Sequence, residues 1–201
     1  MTLSPFAAAD LSPDTIRIAD LVGQIGQSVR AARQESDLNP VQWEALRFLG
    51  LANRLSRNPG GLAAWLGMTK GAASQTVASL AKLGLILRLP DPRDGRGLAL
   101  DLTNAGRRMA QSDPLLAIAR ALSALPAPAI ATTEAALRAT LAGMRPGRRG
   151  SAIGRCGTCR HFRRDAKSET GGPHRCDRAR VSLNDAETGQ LCVLFGEKPA
   201  A

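Results

Sequence analysis

The chain has 201 residues, with 27 Lys and Arg against 17 Asp and Glu, a net charge of +10, and 3% aromatic residues without a tyrosine. That length suits one large or two small domains, and 44% hydrophobic residues, mostly Ala and Leu, suffice for a helical core, which excludes a disordered chain. No apolar run reaches the ~18 residues of a membrane span, and residues 1–12 lack the basic start and apolar stretch of a secretory leader, so a cytoplasmic protein with no membrane association is expected. The charge is concentrated: residues 1–144 carry a net +4, residues 145–180 a net +8 and residues 181–201 a net −2. Nearly all the base is arginine, and clustered arginine points first to a polyanion such as nucleic acid.

Ile18, Leu21, Val22, Ile25, Val29 and Ala32 recur at three- and four-residue steps, which predicts an amphipathic helix over about 14–36. Asn39-Pro40-Val41-Gln42 reads as a capped helix start, with Asn39 as the cap and Gln42 reaching back to it. That helix runs to about Ala52 and offers Trp43, Leu46, Phe48 and Leu49 to the core. Asn58-Pro59-Gly60-Gly61 breaks the chain before a short helix, Leu62–Leu66. A Gly67-Met68-Thr69 turn follows, and Thr69 caps a helix from Lys70 to Leu83 that Gly84 ends in a positive-φ position. Apolar stretches Leu85–Leu87 and Leu98–Leu102 flank a charged loop and predict a hairpin. Thr103 caps a helix through 104–124 that is interrupted near Asp113-Pro114. Leu125-Pro126-Ala127-Pro128 is a break, and a last helix over about Ile130–Met144 carries Leu137, Leu141 and Met144 on one face. Residues 145–152 read as a linker between a domain at 12–144 and a small module at 153–197.

A short helix, a tight turn, a capped helix and a two-stranded hairpin, in that order, make a winged helix-turn-helix. The second helix fits the major groove, where base edges are distinguishable. Its first turns bear Lys70, Gly71, Ala72, Ala73, Ser74, Gln75 and Thr76. Small residues allow close approach, Gln75 can bond an adenine edge bidentately, and Lys70, Ser74 and Thr76 can reach phosphates. Val77, Leu80 and Leu83 form the inward face. In the hairpin loop, Arg93 and Arg96 are placed to enter the neighbouring minor groove, with Asp94 pairing one of them to fix its direction.

These residues resemble the MarR (multiple antibiotic resistance regulator) family. The carriers are Met68-Thr69-Lys70, Leu83-Gly84-Leu85-Ile86, Asp91-Pro92-Arg93-Asp94-Gly95-Arg96 and Leu102-Thr103 with Gly106, and the last two strings follow the family's D-x-R-D-x-R … L-T-x-x-G pattern. The resemblance spans about residues 12–144 and implies a mainly α fold whose first and last helices pair in a homodimer. It also implies a pseudo-palindromic double-stranded DNA operator faced by Ser74, Gln75, Thr76 and Arg96, and regulation of transcription. Many members have arginine where Gln75 stands, so their base preference does not transfer. Many also bind small lipophilic effectors, but nothing here identifies one. Oxidant sensing through a cysteine near the first helix is excluded, since no cysteine precedes Cys156.

The cysteines fall as Cys156-x2-Cys159-x16-Cys176-x15-Cys192. Four cysteines in a chain of cytosolic character argue for metal rather than disulfides. The segment around them has too little apolar surface to hold itself together (Ile153, Phe162, Val181, Leu183, Leu191, Val193, Leu194, Phe195), so a metal staple is expected. Four thiolates suit tetrahedral zinc or a [4Fe-4S] cluster. One Cys-x-x-Cys knuckle with two isolated cysteines departs from the paired knuckles of a zinc ribbon. The spacing resembles high-potential-iron-protein-like domains in accessory subunits of glycyl-radical enzymes, which implies a [4Fe-4S] cluster, with zinc as the alternative. His161 and His174 read as surface histidines. Arg155, Arg160, Arg163, Arg164, Arg175 and Arg178 surround the cysteines, so the metal state could bear on DNA affinity. No nucleophile–base pair or phosphate-binding loop points to an enzyme. The contrasting reading is an iron–sulfur electron-transfer or enzyme-accessory protein that uses the winged helix for protein docking.

Overall fold

A computed structural model describes residues 11–34, 37–92, 94–144, 153–166 and 172–198, with the side chains of Gln34 and of 94–96 outside the description. The elements are α1 (Pro13–Gln34), α2 (Pro40–Leu51), α3 (Pro59–Leu66), α4 (Lys70–Lys82), β1 (Ile86–Asp91), β2 (Asp94–Leu102), α5 (Asn104–Gln111), α6 (Leu115–Ser123) and α7 (Ala127–Gly143). A small module follows, with β3 (Gly154–Arg155), a 3-10 turn (Cys156–Thr158), β4 (Phe162–Arg163), β5 (His174–Cys176), β6 (Val181–Leu183), a one-turn α8 (Asp185–Thr188) and β7 (Leu191–Cys192). The winged-helix order read from the sequence is present. The linker, residues 145–152, lies outside the described residues.

Local chemistry sets most helix starts. Asn39 accepts from the Gln42 amide while Gln42 Oε1 accepts from the Asn39 amide, closing a capping box. Thr69 accepts from the Ala72 amide, Thr103 from the Gly106 amide, and Gly84 sits at φ 67°, where a Cβ would be strained. Two starts come earlier than expected. Asn58 caps α3 with Pro59 in its first turn, and α7 begins at Ala127 with Pro128 in its first turn, because a first-turn residue needs no intrahelical N–H partner. Gly61 is then obligatory: a Cβ there would stand 2.1 Å from the Ser56 carbonyl oxygen.

The core gathers Trp43, Leu46, Phe48 and Leu49 of α2, Leu62 and Ala63 of α3, Ala73, Val77 and Leu80 of α4, and Leu100 and Leu102 of β2. Leu83 departs from the expected inward face. It is the C-cap of α4 and exposed, since the chain turns away there at Gly84. The hairpin ladder is longer than expected, running antiparallel from Ile86–Leu102 to Pro90–Leu98 before an irregularity beside Asp91. A two-stranded ribbon has solvent along both outer edges, so Arg88 and Pro90 are tolerated in it.

α1 and α7 behave differently. Ile18, Leu21, Val22 and Ile25 on α1, and Leu137, Leu141 and Met144 on α7, are all exposed in the single chain. No helix among the described residues is long and apolar enough to cross a membrane.

Candidate nucleic-acid interface and thiolate site

The polar face of α4 stands on an apolar base. Ala73, Val77 and Leu80 are buried, which turns Lys70, Ser74 and Gln75 outward to solvent. Thr76 is half-buried and spends its hydroxyl on the Ala72 carbonyl (3.1 Å). Gln42 reaches from α2 to Ser79 (2.8 Å) and fixes the far side of the helix. Arg93 and the side chains of Asp94 and Arg96 lie outside the described residues; the strands that carry them place the tip at the end of the β1–β2 ribbon. The root of that ribbon is anchored: the Leu100 amide donates to the Arg57 carbonyl (2.8 Å) and the Arg57 guanidinium to Asp101 (2.9 Å). Between α1, α2 and the end of α3 lies a cavity of about 520 Å³, lined by Arg30, Leu38, Val41, Glu44, Leu66 and Met68.

Of the four cysteines, spread over 37 positions of sequence, Cys156, Cys176 and Cys192 cluster from the 3-10 turn, β5 and β7, and Cys159 directly follows that turn. All are buried, and none is in a disulfide. N–H groups aim at three of the sulfurs. Asn53 Nδ2 donates to Cys156 Sγ (3.2 Å), the His161 and Gly196 amides to Cys159 Sγ (3.4 and 3.3 Å), and the Leu194 amide to Cys192. The Cys156 thiol donates to Cys192, which pulls Cys192 down to about 6 against the cost of burial, with Asn53, the Leu194 amide and Ser56 adding to the effect. The same contact, with burial, pushes Cys156 well above the ordinary thiol range. Such N–H···S bonds stabilise charge on sulfur, so the donor set suits a thiolate-ligated group. Among the described residues, no three His, Cys, Asp or Glu side chains converge as the ligands of a single ion.

His174 overturns its expected place on the surface. It is 3% exposed, its Nδ1 accepts from the Asp165 amide (3.1 Å), and its Nε2 therefore carries the proton facing Asp185 (3.0 Å). Its ring meets Phe162 edge-on, so it serves packing beneath the thiols. The arginines around the cysteines are partly structural. Arg155 donates to the Gly189 carbonyl, Arg178 to the Leu194 carbonyl, and Arg163 pairs with Asp177 (2.9 Å).

Asn53 and Ser56 escape a reading of the sequence, because they look like ordinary loop residues and their partners lie 103 and 137 positions away. The contact that reveals them is purely tertiary.

Residues 36–97 match the family model of the MarR family, whose members are transcription regulators rather than enzymes. No curated protein matches the chain. Among solved structures, the chain is similar to a single-residue mutant of S. aureus MepR. The two are 17% identical with a TM-score of 0.51, over 67% of this chain and all of that one. It is likewise similar to Rhodococcus jostii CouR bound to p-coumaroyl-CoA, at 22% identity and a TM-score of 0.51, over 67% of this chain and 94% of that one. At such identities the likeness is one of fold.

Proposed function

We propose that this chain is a MarR-type transcription regulator that acts in the cytoplasm as a homodimer. It reads a pseudo-palindromic operator with α4 in the major groove and the β1–β2 wing beside it. The observation that carries this reading is the outward polar face of α4, seated on buried Ala73, Val77 and Leu80 next to an anchored hairpin, within the segment that matches the MarR family. Lys70, Ser74, Gln75 and Thr76 would face the groove, with Thr76 presenting its methyl rather than its committed hydroxyl. Arg93 and Arg96 would reach the minor groove, oriented by Asp94. The exposed apolar faces of α1 and α7 would pair between protomers. A small-molecule effector would have its place in the cavity beside Leu38 and Met68.

Cys156, Cys159, Cys176 and Cys192 would hold a [4Fe-4S] cluster, with zinc as the alternative metal bound by the same thiolates. The N–H donors aimed at the sulfurs, and the single knuckle with two separated cysteines, support the cluster. A bound cluster supplies one-electron redox chemistry and sensitivity to oxidants. The chain's own residues shield the sulfurs from water and tie them to the winged helix.

Two measurements on anaerobically purified protein test this. Selection from a random pool of duplexes should enrich paired half-sites whose centres are about one helical turn apart. Iron, sulfide and zinc analysis should return a brown protein with four irons per chain, and a colourless protein with one zinc contradicts the cluster. Weak, sequence-independent DNA retention together with reversible cluster redox would favour the electron-transfer or accessory-protein reading instead.

A further inference from the structure

The cysteine module is docked on the connection between α2 and α3, residues 52–58, and that connection is also the footing of the helix-turn-helix. On the module side, Asn53 and Ser56 are both 0% exposed. The Asn53 amide N–H of the backbone donates to the Leu191 carbonyl (2.9 Å), and its side-chain Nδ2 donates to Cys156 Sγ (3.2 Å). Ser56 Oγ donates to Asn53 Oδ1 (2.8 Å) and accepts from the Val193 amide (3.0 Å). Ala52 bridges Leu191 in parallel, and Arg54 clamps the rim through the Ser182 carbonyl (2.5 Å) and Glu187 (3.3 Å). On the DNA side, the Asn58 side chain caps α3 through the Gly61 amide (2.9 Å), and Gly61 packs directly on the Ser56 carbonyl. The Arg57 carbonyl holds the Leu100 amide of β2 at 2.8 Å.

We infer that Asn53 and Ser56 are positioning residues of the thiolate site, contributed by the winged helix, and that they transmit the state of that site to the start of α3 and the root of the wing. This rests on the reading that the thiols hold an iron–sulfur cluster. The physical route is short. Asn53 and Ser56 are buried polar groups that must stay bonded, and one of their acceptors is a cysteine sulfur. Losing the cluster frees that sulfur to move, so the Asn53 amide loses its acceptor and the connection must rearrange to find another. The Arg57 carbonyl and the Asn58 cap are four and five residues beyond Asn53, too close to be insulated. In the other direction, an N–H aimed at a ligating sulfur favours the reduced cluster, so the winged helix tunes the cluster's potential.

Hydrogen exchange on the full chain tests this without any DNA. Loaded and chelator-stripped wild-type protein are compared at the Gly61 and Leu100 amides, beside the midpoint potential and the iron and sulfide content of Asn53→Ala. Stripping the wild type should speed exchange at both amides by about tenfold or more. Asn53→Ala should load iron, show a lower potential than the wild type, and exchange at those amides nearly as fast loaded as stripped. Should Asn53→Ala fail to load, Ser56→Ala cuts the Val193 link while leaving Asn53 on the sulfur, and a narrowed difference between its loaded and stripped forms supports the inference. Equal exchange in loaded and stripped wild type overturns the inference, as does a loaded variant with the wild-type potential and the wild-type difference. A protein that carries zinc contradicts the cluster reading alone, and the exchange difference between zinc-loaded and stripped forms then decides the coupling.

Discussion

Arg47 reaches from α2 to Asp113 at the α5–α6 corner with two hydrogen bonds of 2.6 and 2.7 Å, and Glu44 links Arg47 to Arg33 of α1. Burial pushes the Asp113 carboxyl up, but the Arg47 hydrogen bond, the Leu115 amide and the charges of Arg47 and Arg33 outweigh it and hold the carboxyl below its ordinary value. Arg47→Ala strands that buried charge and should cost about 3–5 kcal/mol in urea unfolding at neutral pH. A loss below about 1 kcal/mol would show the pair to be unimportant. Because the folded carboxyl titrates below the unfolded one, the pair's stabilisation is full above the unfolded value of about 4 and fades as pH falls through the folded value. The acid limb of the wild-type stability curve should therefore be steeper than that of the variant. At the interface, Gln75→Ala should weaken binding of a selected duplex by about 1–3 kcal/mol and relax preference at a single base position. Arg96→Ala should instead lower the salt slope by about one and weaken most the duplexes with a narrow A·T-rich minor groove beside the half-site, without changing preference at the base that Gln75 reads. Interchanged outcomes would mean that the roles of groove helix and wing are misassigned.

The helices that flank the winged lobe expose the apolar faces that would pair in the proposed dimer. Ile18 is 61% exposed and Met144 is 74% exposed in one chain, with Leu21, Val22, Ile25, Leu137 and Leu141 between these positions along two helices. Leu21→Glu places a charge in that face, so sedimentation should shift from the proposed dimer to monomer while the far-ultraviolet circular dichroism stays that of the wild type. A dimer undisturbed by the substitution would move the interface elsewhere. Helix caps and the hairpin were legible in the sequence, because Asn39, Thr69, Gly84 and Thr103 act within a few residues of themselves. Gly106 was legible as part of a pattern, and its reason is spatial: a Cβ there would stand 1.9 Å from the Leu85 carbonyl oxygen. The start of α3 was misread as a break because Pro and Gly usually punctuate chains, whereas here Asn58 turns both into a first turn. Burial of His174, and the roles of Asn53 and Ser56, depend on strands that arrive from distant sequence and leave no periodic trace. The exposure of α1 in one chain follows from the family resemblance and not from periodicity, since an amphipathic pattern fixes an apolar face but not which chain covers it.

Across the whole molecule, the net charge of +10 is spread over lobe, linker and module. Residues 1–144 carry +4, the linker at 145–152 +3 and the module at 153–197 only +2, so charge singles out no part, and in the proposed regulator base readout by α4 and the wing would supply specificity. The module's arginines are also partly committed, since Arg155, Arg163 and Arg178 are engaged in holding its own backbone and Asp177. Any coupling of the module to DNA would then run through its seat on residues 52–58 more than through its charge. Removing the proposed cluster should lower affinity for a selected duplex while leaving α4 and its capping intact, a loss to be read by titration beside far-ultraviolet circular dichroism. Unchanged affinity after stripping would reduce the module to a folded tail. The central claim is sequence-specific DNA binding by the winged lobe. Its most direct test is the affinity of the loaded wild-type protein for its selected duplex against a scrambled duplex of equal composition, at physiological salt. A preference of about a thousandfold or more is predicted. Equal affinity for the two duplexes would contradict it.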